Sequence, residues 1–145
     1  MAFRFPLASV LAFRESLERR EELALTKIQL EMARVQHEIE QLTAELVAAQ
    51  RARDESMRRP IPAAKLQEML HASDAVAERK KKLQETLAGL EQQRSEQLRA
   101  YHAAHRARQV LTDLRIQHHD AWDQRQARAQ QKMLDDVFAS RSRRG

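Results

Sequence analysis

The sequence predicts an all-α fold, a long antiparallel two-helix coiled-coil hairpin with a C-terminal helical overhang, on three observations. The 145 residues include only two Gly and three Pro, and 4% are aromatic against 32% charged; a chain so poor in turn formers and large rings cannot build a thick core and suits long helices with a narrow seam. Apolar residues recur at alternating spacings of three and four. The helical span holds a single strong break, Pro60-Ile61-Pro62.

The first helix is expected from about residue 8, with Ser9 as a capping side chain, to about residue 58. Its seam, Leu25, Ile28, Met32, Val35, Ile39, Leu42, Leu46 and Ala49, keeps a heptad frame with no polar residue. Upstream, Val10, Leu17 and Ala24 keep a sevenfold spacing one residue out of that frame, a local departure from the strict repeat. The break follows because proline lacks the amide hydrogen and drives the residue before it out of helical geometry, so Arg59 and Ile61 are expected to be non-helical.

The second helix is expected over about residues 63–138. Its seam runs Leu66, Met69, Ser73, Val76, Lys80, Leu83, Leu87, Leu90, Arg94, Gln97, Tyr101, Ala104 and Arg108, and turns polar after Leu90. If the chain folds back at the prolines, facing residue numbers share one sum. Leu46 with Val76, Ile39 with Leu83, Val35 with Leu87 and Met32 with Leu90 all give 122, which centres the hairpin on Ile61. A kinked rod that dimerises in parallel is the alternative. At ~1.5 Å per residue the helices would be ~75 and ~115 Å long, leaving residues 122–138 without a partner inside the chain. The polar seam away from the prolines predicts arms that are loose in isolation. One coiled-coil domain, 1–145, is expected, ending in a basic tail at 139–145.

Charge is uneven. Residues 1–57 carry 8 basic and 10 acidic side chains, residues 58–124 carry 12 and 9, and residues 125–145 carry 6 and 2. The positive end fits an acidic protein surface, nucleic acid or anionic lipid, and sign alone does not choose among them. Arg79-Lys80-Lys81-Lys82 points around most of a helix rather than along one face, and interleaved stacking aromatics are missing, so nucleic-acid binding is not expected. No run approaches the ~18 apolar residues of a membrane span. The chain has no cysteine, which fits a reducing compartment and removes thiolate chemistry. His102 with His105, and His118 with His119, invite a metal, but the mirror rule places only Glu18 or Arg19 opposite the first pair. Solvent-facing histidines, no metal, no cofactor and no enzymatic activity are the expectation.

The termini carry a resemblance. The opening Met-Ala-Phe3-Arg4-Phe5-Pro6-Leu7 with Val10, Leu11 and Arg14, and the closing Gln131-Lys132-Met133-Leu134-Asp135-Asp136-Val137-Phe138-Ala139 followed by Arg141, resemble the flagellar export family called FliJ over the whole chain. That resemblance implies a cytoplasmic stalk of the flagellar type III export apparatus, similar to the central stalk of rotary ATPases. It would bind the hexameric export ATPase, promote its assembly and activity, and engage the export gate membrane protein and export chaperones, reaching the inner membrane only through these partners. Carried onto this chain, the ATPase-facing surface would comprise Phe3, Phe5, Leu7 and Arg14 with Arg125, Arg128, Lys132, Met133, Leu134 and Phe138. Gate contact would fall nearer the prolines, where position and exposure suggest Gln41, Ala49, Ile61, Leu66 and Met69. A homodimeric structural or chaperone-like coiled coil is the alternative function.

Overall fold

A computed structural model describes residues 2–145. Two helices make up the described chain, α1 (Ala8–Ser56) and α2 (Ala63–Arg144), and they pack against each other with no strand among the described residues. The fold is the expected all-α helical hairpin. α1 starts at Ala8, but Ser9 is inside its first turn and does not cap it. Backbone carbonyls cap instead, with the Ala8 amide donating to Phe5 and the Leu11 amide to Leu7.

The break is a short irregular segment. After Ser56 the amides of Met57, Arg58 and Arg59 still reach back to Arg53, Glu55 and Ser56, a tightening last turn. Pro60 to Pro62 are non-helical, and the Pro62 carbonyl accepts from both Lys65 and Leu66 to begin α2. Arg59 and Ile61 are non-helical as the prolines require. α2 differs from expectation at its other end. It continues six residues past Phe138, through Arg144. The last apolar residue does not end it, because Arg141, Arg143 and Arg144 lie in the last turn, where cations complement the negative end of the helix dipole.

The chain divides into two compact units. The first comprises Met1–Glu21 with Tyr101–Gly145, and the second Glu22–Ala100. In the second unit the buried residues are Val35, Ile39 and Leu42, three consecutive seam positions, with Val35 only 1% exposed. Leu66, Met69, Ser73, Val76, Lys80, Leu83, Leu87 and Leu90 are the half-buried stripe of α2 there. Lys80 sits on that stripe while Arg79, Lys81 and Lys82 are exposed, as expected of a long side chain covering the seam with its stem. A shallow, mainly apolar cleft of about 250 Å³ is lined by Leu46, Ala49 and Arg53 of α1 and by Val76, Ser73 and Met69 of α2, among others. Those facing residues follow the mirror sum of 122. Outside the seam, Arg34 bridges Glu31 and Glu38 at 2.5 and 2.6 Å, ion pairs within one helix that favour helical backbone.

Candidate functional site

The first unit contains the polar end of the seam, where the sequence predicts arms that are loose in isolation. Phe5 and Leu11 are buried, Leu11 at 4% exposure. Leu111 and Leu114 of α2 are half-buried, seam positions that the sequence reading passed over. The polar seam residues also pair across the helices. Glu18 of α1 accepts hydrogen bonds from the Nε and Nη2 of Arg108 on α2, and His105 Nδ1 lies 3.0 Å from Glu18 Oε1. Arg108 Nη2 also approaches His105 Nδ1 at 3.3 Å, and Arg108 Nη1 reaches Thr112. Two partners thus share the Glu18 carboxylate in a charge-assisted cluster. The Arg108 hydrogen bonds hold the Glu18 carboxyl below its ordinary range, against the opposing effect of burial and with help from His105. The same contact raises Arg108. His105 thus faces Glu18 while its side chain stays 42% exposed.

Ahead of α1, the segment carrying Phe3 and Phe5 lies along α2 through ring contacts. Phe5 meets His118 edge to face at 5.5 Å, and Phe3 meets His119 at 5.0 Å and Trp122 at 6.1 Å. These pairings have residue sums of 122 to 125, so the mirror rule extends through this unit within one helical turn. Trp122 is half-buried and the exposed stretch of α2 begins at Asp123, one residue later than expected. From there to Arg144 every residue is exposed. Met133, Leu134, Val137 and Phe138 are large apolar side chains with no covering neighbour sufficient to bury them. At ~100° per residue they share one face of the helix, while Arg125, Arg128 and Lys132 share the opposite face.

Of the residues assigned to ATPase contact, Leu7, Arg14, Arg125, Arg128, Lys132, Met133, Leu134 and Phe138 are exposed. Phe5 is buried and Phe3 half-buried, so their rings hold the N-terminal segment to α2. Of those assigned to the gate, Gln41 is exposed, Ala49 and Met69 line the apolar cleft, and Ile61 and Leu66 are half-buried. Among the described residues one group offers metal-ligand spacing: His119, Asp120 and Asp123, with one ligand atom from each lying within 4.8 Å of the others. All three are exposed, and His119 Nδ1 already faces Asp123 at 3.3 Å. No described helix is long and apolar enough to cross a membrane.

Comparison with known proteins gives one family. The family described as flagellar FliJ protein matches this chain over residues 3–145. No curated protein and no solved structure matches it.

Proposed function

The chain belongs to the flagellar FliJ family, a family of flagellar export components rather than of enzymes, and we propose that it acts as a stalk-like coiled coil on the hexameric export ATPase. In this reading it promotes assembly and activity of the ATPase ring and links the ring to the export gate membrane protein and to export chaperones. It resides in the cytoplasm and meets the inner membrane only through those partners. The observation that carries the reading is the last stretch of α2. Residues 123–144 remain helical although no other segment buries any of them, and they present an apolar face and a basic face together. An isolated helix of this kind gains most from a groove that covers its apolar side chains. Arg125, Arg128, Lys132, Met133, Leu134 and Phe138 supply that surface, with Leu7 and Arg14 from the start of the chain. Gate contact falls to Gln41, Ala49, Ile61, Leu66 and Met69.

Titration of the protein into the flagellar ATPase, following ring assembly and hydrolysis, tests this. The full chain is expected to raise both. Deleting residues 123–145, and so leaving Trp122 on Phe3, is expected to abolish stimulation while the remaining chain keeps its helicity per residue. Full stimulation by the truncated chain overturns the assignment, and no effect from the intact chain overturns the stalk reading itself.

A further inference from the structure

A second cleft, in the first unit, joins Arg125 and Arg128 of the proposed ATPase-facing surface to the N-terminal segment. It holds about 480 Å³ and is lined by Phe3, Arg4 and Pro6 of the N-terminal segment and by His118, Trp122, Gln124, Arg125 and Arg128 of α2, among others. Three arginines from two elements surround it and no carboxylate lines it. None of the three makes an ion pair among the described residues, as is true of most arginines of the chain. Arg125 and Arg128 are one turn apart on one helix face, about 5–6 Å between side-chain origins, and Arg4 comes from the other wall.

We propose that this cleft is a docking site for an acidic peptide segment whose carboxylates are spaced one helical turn apart. Guanidinium groups take carboxylates through two parallel hydrogen bonds, and a partner helix with Glu or Asp at i and i+3 or i+4 repeats the Arg125–Arg128 spacing. The ring contacts of Phe3 with His119 and Trp122 hold the wall that carries Arg4, so the three cations are presented before the partner arrives. A bilayer fits worse. Met133, Leu134, Val137 and Phe138, the side chains that would enter it, lie on the opposite face of α2 from Arg125 and Arg128. A single-stranded nucleic acid fits worse too, because it needs open aromatic faces for stacking, and the Trp122 ring already meets Phe3 and His119.

The proposal rests on the stalk reading only for which protein carries the acidic segment. Its test uses the full-length chain and a labelled synthetic helical peptide with glutamate at every fourth position, read by anisotropy and by emission of Trp122, the sole tryptophan. Binding is expected to weaken at least tenfold in R125Q/R128Q and severalfold in R4Q. R143Q/R144Q removes the same charge outside the cleft and is expected to change binding less than twofold. Equal loss in both double variants, or equal binding of the glutamine counterpart peptide, overturns the proposal. So does failure of the peptide to bind while phosphatidylglycerol vesicles or a 20-nucleotide single strand do. If the peptide fails but deletion of 123–145 still abolishes ATPase stimulation, the cleft chemistry is wrong and the stalk reading stands. Peptide binding with the expected pattern alongside an inert ATPase leaves the cleft standing and removes the stalk.

Discussion

Replacing Leu11 by alanine tests whether the first unit is pinned or frayed. Leu11 is 4% exposed and sits one turn into α1. Removing about three buried carbons forfeits ~2.4 kcal/mol of transfer free energy at ~0.8 per carbon. A two-helix seam closes over the lost volume more readily than a thick core does, so the cavity adds little and the total is about 2.5–3 kcal/mol. That figure is an upper estimate, since the unfolded segment retains some burial. Because stability is local, the effect falls on opening of this unit. At about 1.4 kcal/mol per tenfold, amide exchange in peptides covering residues 8–20 and 104–118 is expected to speed up on the order of a hundredfold. Peptides covering residues 30–45 serve as the internal reference. Leu23→Ala, at a position 70% exposed, is expected to leave exchange almost unchanged. Wild-type exchange that is already unprotected over residues 8–20, or an acceleration below about threefold in Leu11→Ala, refutes the pinned end.

The Glu18 cluster makes stability depend on pH in a defined direction. Its carboxyl lies below the ordinary value of 4.5 in the folded chain, chiefly through the Arg108 hydrogen bond. The unfolded chain therefore takes up the proton first, and the stabilisation is present above that ordinary value and lost as pH falls through the folded one. Glu18→Gln is expected to lower Tm at about pH 7 and to differ progressively less from wild type toward about pH 3; a pH-independent or widening gap contradicts the pairing. In the second unit, Ala49→Leu is expected to fill part of the 250 Å³ cleft and raise stability by about 1 kcal/mol, measured by urea denaturation. A loss of stability would mean that the space is already closed. The same variant is expected to weaken binding of the gate protein measured by calorimetry, and unchanged affinity removes Ala49 from that surface.

The sequence makes the seam and its register legible where the residues are apolar, because Leu, Ile and Val at three-four spacing admit one burial face, and two such faces around one proline pair admit one mirror. Val35, Ile39 and Leu42 are buried on that account. Period alone fails where the seam is polar. Arg108 and Gln97 sit at seam positions and look like defects, since the periodicity of one helix carries no information on which carboxylate faces it from the other. Glu18 was visible opposite His102 and His105, but as a possible metal ligand rather than as the acceptor that satisfies Arg108. Phe5 and Leu11 were missed as core for a related reason. Leu11 lies in the frame of Leu25, two heptads upstream, but the polar Glu18 stands between them, and the shifted frame instead puts Val10 on the seam, which the structure leaves 41% exposed. Phe5 precedes the helix, so its burial depends on where the extended segment meets His118.

The same pairing gives the charge distribution a meaning that position along the chain does not. Counted by unit, Glu22–Ala100 has 13 basic and 13 acidic side chains, whereas the first unit has 13 and 8 and so carries the entire net charge of +5. By position along the chain, residues 125–145 alone carry a net +4 of that excess. The fold adds Arg4, Arg14, Arg19 and Arg20 from the other end of the chain to the same unit. Concentrating one sign in a small unit costs stability through self-repulsion, and Glu18 facing Arg108 offsets part of that cost within the chain. Beyond it, Arg4, Arg125 and Arg128 line a cleft without a carboxylate. An acidic partner segment would supply counter-charge to them. Binding of an acidic segment there is therefore expected to raise the stability of the first unit as well as occupy its cleft, and the linkage is measurable as slowed amide exchange over residues 104–118 when the glutamate peptide is added.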